Sequence, residues 1–350
     1  MTNPVAAANR WGGVAVRVLA GVIAGVLLTG CAGRPVTSPT SGATPTTGAT
    51  AAALAVGGMT GPTGMGLAPL MAGQGTSTAG PAIAVTLYPS ADQITPQLVN
   101  GSLPLATVPV NLAAVLYAKT KGAVQLAAVN TLGVLYVVAK GSAATSVRSV
   151  ADLAGKTVWS TGQGTTPQYV MDDLLTQAGV SGTVDVQYLS AASEVAARLV
   201  AADSGIAVLP EPYVTTVMAK DKGIEPVIDL TQAWAAVHST SPLVTGALVV
   251  QRAWADAHPD LYAGFLQQYR ASIQFAIDHP DEAGPMIAAA GIVPDAATAA
   301  AALPRCHLTY LDGSDARTAV SSYLQVLFAA NPQSVGGALP GDDFYRPVTG

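Results

Sequence analysis

Thr157-Val-Trp-Ser-Thr-Gly-Gln-Gly-Thr-Thr-Pro167 is the stretch whose reading decides the fold. Thr157–Ser160 is a short β-rich run, so it reads as a strand. Gly162 and Gly164 then let the backbone turn tightly. Thr165 or Thr166 stands where a helix cap is needed, and Pro167 falls in the first turn, where its missing N–H costs nothing. Val170, Leu174 and Ala178 lie four apart on one helical face, and Gly179 stops the helix. Val184–Leu189 reads as the next strand. A strand, a glycine loop, a helix and a strand form the unit from which parallel α/β sheets are built.

The same alternation extends in both directions. Upstream, strands are expected at Ala53–Val56, Ile83–Tyr88, Leu105–Pro109, Val124–Val129 and Gly133–Val138. Helices follow the first three, from near Met65, at Asp92–Asn100 and at Leu112–Lys119, the last capped by Asn111. Ser149 caps a short turn ending at Gly155. Downstream come helix Glu194–Ala202, strand Ile206–Leu209, helix Tyr213–Lys220 and strands Pro226–Leu230 and Val244–Val250. From there the chain reads as purely helical: Pro259–Ile277, Pro280–Ala290, Asp295–Ala302 and Asp315–Ala330. The pattern predicts parallel sheets with helices on both faces, in two α/β lobes with the helical tail packed on the first.

Composition limits what such a chain does. Half of its residues are apolar and 11% are charged, with a net charge of −5. No basic cluster exists, so nucleic-acid binding has no electrostatic basis. The two cysteines, Cys31 and Cys306, exclude a disulfide framework if Cys31 is modified. The four histidines are scattered without ligand spacing, so no metal and no cofactor are expected.

The amino terminus carries an address. Arg10 and Arg17 precede an apolar run, Val18 to Leu28, and Leu28-Thr29-Gly30-Cys31 closes it with small residues before a cysteine. That arrangement reads as a secretory signal peptide over residues 1–30. Even counted from Val14 to Gly30, the run is interrupted by Arg17 and by glycines, and it is short for a span of about 20 residues. The motif resembles the lipobox of bacterial lipoproteins, which implies acylation of Cys31 and an extracytoplasmic protein held to the cell membrane by lipid. Residues 31–50, rich in Pro, Thr, Ser, Gly and Ala, read as a flexible tether.

Seven segments together resemble the ABC-transporter substrate-binding proteins of the nitrate/sulfonate/taurine and thiamine-pyrimidine-precursor group. They are Thr60-Gly-Pro-Thr-Gly-Met-Gly66, Val108-Pro-Val-Asn-Leu-Ala113, Asn130-Thr-Leu-Gly-Val-Leu-Tyr136 and Asp152-Leu-Ala-Gly-Lys-Thr-Val158. Thr161-Gly-Gln-Gly-Thr-Thr-Pro167, Leu209-Pro-Glu-Pro-Tyr-Val214 and Leu339-Pro-Gly-Asp-Asp-Phe-Tyr345 complete the set. The resemblance implies a type II periplasmic-binding-protein fold with a two-strand hinge. It puts lobe 1 at 51–139 plus 248–350 and lobe 2 at 140–247, with crossings near Val138–Gly141 and Leu243–Leu248. It also implies a monomer that hands a small molecule to an ABC permease and its ATPase.

Ligands of open α/β sheets bind beyond the carboxyl ends of the strands. Most of the resembling segments follow a predicted strand and open a helix, in keeping with that rule, and they supply Thr60, Gly61, Pro62, Thr63, Gly64, Asn111, Asn130, Thr131, Thr161, Gln163, Gly164, Thr165, Thr166 and Glu211 as ligand-binding candidates. Each has a plainer alternative. Asn111, Thr165 and Thr166 could only cap helices, Gly61-Pro62 only turn the chain, and Asn130-Thr131 only end a strand. Glu211 could bind an amine-bearing ligand or pair with a basic residue across the lobe seam. Trp159 and Tyr136 offer stacking faces or core rings. The candidate loops hold no Arg or Lys, which disfavours a tightly held sulfonate. Two rival functions remain: a ligand-sensing lipoprotein without a transport role, and an enzyme like the pyrimidine-precursor synthases. The enzyme's cysteine cluster is missing, and so are nucleophile elbows and phosphate loops.

Overall fold

The computed structural model describes residues 53–74 and 80–347. The leader, Cys31 and the tether lie outside them. Eleven strands are described: β1 Leu54–Met59, β2 Ile83–Tyr88, β3 Leu105–Pro109, β4 Val124–Leu132, β5 Leu135–Lys140, β6 Thr157–Ser160, β7 Asp185–Tyr188, β8 Gly205–Pro210, β9 Ile224–Asp229, β10 Val244–Gln251 and β11 Leu308–Leu311. They form two sheets, one in the order β11-β4-β10-β3-β1-β2 and one in the order β7-β6-β8-β5-β9.

Both sheets are mixed rather than parallel throughout. β1 is parallel to β2 and β3, and β6 is parallel to β7 and β8. The strands that carry the chain between sheets run the other way: β5 is antiparallel to β8 and β9, and β10 to β3 and β4. A strand entering directly from the other sheet, without a crossover helix, has no reason to share its neighbours' direction. β5 therefore belongs wholly to the five-stranded sheet. The first crossing lies at Gly133-Val134, not at Val138–Gly141, and the second lies before Val244.

Gly133 shows why the crossing is tight. A Cβ there would stand 2.0 Å from Thr231 Oγ1, so any side chain would push the joint apart. The tail after β10 is not purely helical, since β11 pairs with β4 and completes the first sheet. A helix at Leu230–Val237 was also unforeseen. Its cap is Asp229, whose carboxylate accepts from the N–H groups of Thr231 and Gln232.

Three hydrophobic clusters hold these layers. One covers the outer face of the six-stranded sheet under Pro259–Asp278, with Phe265, Tyr269 and Ile273 buried. Another lies under Ala192–Ala201 and Tyr213–Lys220 on the five-stranded sheet. The third is shared. It runs from Val108 and Leu126 through Val137 and Val208 to Trp234 and Tyr323. Trp234 and Tyr323 have ring centroids 5.4 Å apart, so helices from both sheets join on that side. No helix among the described residues is long and apolar enough to cross a membrane.

Candidate ligand cleft

The candidate residues fall at the strand ends, but they do not all serve one surface. Thr60 and Gly61 follow β1, and Thr60 N–H donates to Tyr88 O at 3.0 Å, tying the end of β1 to β2. Gly61 has φ 98° and open space where a Cβ would be. Both line a cleft of about 770 Å3. Its opposite wall comes from the other sheet's helices: Ser190, Ser193, Ala196 and Ala197 from the start of Ala192–Ala201, and Pro212, Tyr213, Thr216 and Lys220 around Tyr213–Lys220. Pro89 after β2 and Ile292 and Pro294 close the ends. The walls are largely apolar, with the hydroxyls of Thr60, Ser190, Ser193 and Thr216 among them, a composition typical of small-molecule sites.

Thr63, Gly64, Asn130 and Thr131 are instead buried beneath that surface. Asn130 Nδ2 donates to Thr63 O at 3.0 Å and meets Tyr269 Oη at 2.8 Å, while Thr131 Oγ1 donates to Asn130 Oδ1 at 3.0 Å. Burial pushes the Tyr269 phenol up, opposed by its bond to Asn130. The helix of Pro62–Met65 is thus pinned to β4 through a side-chain amide. Pro62 is half-buried at that helix's first position.

Asn111 and Thr166 meet each other. Thr166 Oγ1 donates to Asn111 Oδ1 at 3.3 Å, and Asn111 Nδ2 donates to Ser334 O at 3.5 Å. Asn111 does not cap its helix, which begins at Val110 with Pro109 in the cap position. Thr161 is half-buried, whereas Gln163, Gly164 and Thr165 are exposed. Thr165 is the cap residue of Thr166–Gln177, but its hydroxyl donates to Gly162 O at 2.7 Å rather than capping. The Gly164 N–H donates to Gln168 Oε1 at 2.7 Å. No residue of Thr161–Thr166 lines the cleft described above.

Glu211 has no exposed surface. Its Oε1 accepts from Arg305 Nε at 2.5 Å and from Thr215 Oγ1 at 3.1 Å, and its Oε2 accepts from the Thr215 N–H at 3.1 Å. The pairing alternative therefore holds, and the argument for an amine-bearing ligand goes with it. Tyr136 is a core ring whose hydroxyl donates to Arg305 O at 3.3 Å. Burial, followed by the nearby Asp229 and Glu211 carboxylates, raises its phenol. Trp159 is half-buried under the Arg198 guanidinium, 4.7 Å from its ring centre. Neither aromatic lines the cleft.

The sequence reading missed Ser190, Ser193, Thr216, Lys220 and Arg305. Ser190-Ala-Ala-Ser193 had a readable signal, since it follows a strand and opens a helix as Thr161–Thr166 does. Starting that helix at Glu194 hid it. Arg305 gave none. A second cavity, of about 700 Å3, is lined by Asp172, Asp173, His238 and Gln325, and by none of the candidates. Among the described residues no group of three or more His, Cys, Asp or Glu side chains is placed to hold a metal.

Two mixed sheets joined by short crossings, with a cleft at their strand ends, define the fold of periplasmic binding proteins. Solved structures agree. An ABC transporter protein from Parabacteroides distasonis superposes with a TM-score of 0.72 at 23% identity, covering 85% of this chain and 99% of that one. The periplasmic aliphatic sulphonate binding protein SsuA from Escherichia coli gives 0.65 at 17% identity, over 85% and 94%. The alkanesulfonate-binding protein SsuA from Xanthomonas axonopodis pv. citri, bound to MOPS, gives 0.60 at 16%, over 80% and 93%. No curated protein matches the chain significantly in sequence. Residues 81–283 match the NMT1/THI5-like family, and the chain belongs to it. Its structural neighbours are ABC-transporter substrate-binding proteins.

Proposed function

We propose that this protein is an extracytoplasmic lipoprotein that captures a small molecule between two lobes and delivers it to an ABC importer. The supporting observation is the cleft of about 770 Å3, whose walls come from strand ends and helices of both sheets. A ligand touching both walls favours the closed form by its differential affinity for it. The lobes of this reading meet at Gly133-Val134 and in the stretch before Val244, and the protein acts as a monomer.

Cys31 carries the lipid, so the outer face of the permease lies within reach of the tether, and the ATPase acts from the other side of the membrane. The cleft presents no carboxylate, and Lys220 stands at its rim, so the ligand is a neutral or anionic molecule with an apolar body rather than an amine. Catalysis has no support in that lining, which offers neither a paired acid and base nor an activated nucleophile.

A thermal-shift screen across nitrate, alkanesulfonates, pyrimidines and simple amines tests the reading. A ligand at 100 times its Kd stabilises by about 2.7 kcal/mol. A shift with neutral or anionic solutes and none with amines is expected. Stabilisation by amines alone would overturn the ligand class.

A further inference from the structure

Arg305, Cys306 and His307 connect the helical tail to β11 and belong to the six-stranded sheet's side. Their contacts nevertheless reach the other side. Arg305 Nε donates to the buried Glu211 carboxylate, and Arg305 Nη2 donates to Thr215 Oγ1 at 2.5 Å. Arg305 O accepts from Tyr136 Oη on β5. His307 Nδ1 donates to Gly133 O at 2.5 Å, on the crossing itself, and His307 O accepts from the Leu132 N–H at 3.1 Å. On the opposite side the Glu211 N–H donates to Val134 O at 3.0 Å, the other residue of the crossing.

We infer that residues 305–307 form a clasp across the first crossing, and that the ion pair of Arg305 with Glu211 sets the resting angle between the two sheets. Glu211 shows why the clasp resists displacement. Its carboxylate is fully buried and its acceptors are taken by Arg305 and Thr215. Rotating Arg305 away leaves a buried charge with only one neutral partner, which is strongly unfavourable. The bond is also directional, because a guanidinium fork holds one plane and Thr215 fixes its second nitrogen. Tyr136 and His307 grip the backbone on both sides of the same joint. Motion about Gly133-Val134 is therefore restrained by groups that neither line the cleft nor touch its contents. Arg305 and Glu211 are positioning residues: they act on a ligand only through the angle.

The inference rests on the proposed hinge motion, but its test needs no ligand. Spin labels at Gln93→Cys and Asp203→Cys, both exposed and on opposite sheets' sides, report the separation of the units. Cys31 is replaced by Ser and Cys306 is fully buried, so neither takes the label. Pulsed dipolar spectroscopy on the full chain should give one narrow distance distribution for the parent. Arg305→Met and Glu211→Gln should each broaden it and add a longer-distance population. Because either single change leaves a lone buried group and risks misfolding, the pair Arg305→Ala with Glu211→Ala keeps the test open. It removes both charges and should broaden the distribution as well. Folded variants that keep the parent distribution would overturn the clasp. A parent protein that answers no solute in the thermal screen would count against ligand capture and leave this result standing.

Discussion

At the residue scale, the most informative side chains are the candidates that bond to other parts of the protein. Asn130 was a candidate for ligand contact, yet its amide is spent on Thr63 O and Tyr269 Oη inside the first sheet's end. Gly246 on β10 makes room for it, since a Cβ there would stand 2.3 Å from Asn130 Oδ1 and 2.6 Å from Thr63 Cγ2. Asn130 and Thr63 are buried, and Asn130 Oδ1 is already engaged by Thr131, so neither has much freedom to retreat. Gly246→Ala should therefore destabilise the protein by about 1–3 kcal/mol, the usual cost of overpacking a core. Urea unfolding checks this, and a midpoint equal to the parent's would show that the network yields. Glu211 teaches the same lesson. Proline on both sides at a strand end marked it as special, and it is, but its partner lies 94 residues away. Nothing in the local sequence names Arg305, because pairing across such a separation is decided by topology.

At the element scale, much was legible. Ile83–Tyr88, Leu105–Pro109, Thr157–Ser160 and Tyr213–Lys220 are found with the bounds that periodicity and turn residues give them. The strands that were misplaced are those whose role is topological. β5 looks like any apolar run, and only its hydrogen bonds to β8 and β9 assign it to the second sheet. β11 is four residues long and lies between helical patterns, too short for alternation to show. The caps were unevenly signalled, since Ser149 opens a capping box while Asn111 and Thr165 do not cap their helices, and acidic groups at element ends carry a pH dependence. Asp152 is held below the usual carboxylate range by the N–H of Arg148 and the hydroxyl and N–H of Ser149. The N–H and hydroxyl of Thr298 act likewise on Asp295. Lys140 lowers Asp221, and Tyr117 with Arg252 lowers Asp343. A carboxyl depressed in the folded state stabilises it above the unfolded value of about 3.9 and loses that contribution as pH falls through the folded value. The urea midpoint should therefore drop below about pH 4, and the drop should shrink in Asp152→Asn and Asp295→Asn, where the Asn carbonyl can still accept from the same N–H groups. An unchanged acid limb in both variants would move the sensitivity elsewhere.

At the scale of the whole molecule, the two ends of the seam are unlike. On one side Trp234, Tyr323 and their neighbours join the sheets through a shared hydrophobic cluster, and Asn111 meets Thr166. On the other, Ala192–Ala201 and Tyr213–Lys220 face Thr60, Gly61 and Pro89 across open space. Closure should thus narrow the second side while the first acts as the joint. The anchor is a separate matter of the amino terminus. Cys31→Ser should abolish lipidation and move the protein from the detergent phase to the aqueous phase; partitioning like the parent's would remove the lipoprotein reading.

The cleft side allows a sharper test, because its wall is built from small residues. Ala197 is exposed and lines the cavity from Ala192–Ala201. Ala197→Trp adds bulk where no core packing is disturbed, so the melting temperature without ligand should stay within a degree or two of the parent's, as for surface changes generally. Small-angle scattering of the parent with a saturating hit from the thermal screen should show a smaller radius of gyration. In Ala197→Trp the same solute should give neither compaction nor a thermal shift, since the indole occupies the space between the walls. If the variant binds and compacts as the parent does, the ligand sits elsewhere, and the Thr161–Thr166 loop with Asn111 becomes the place to look.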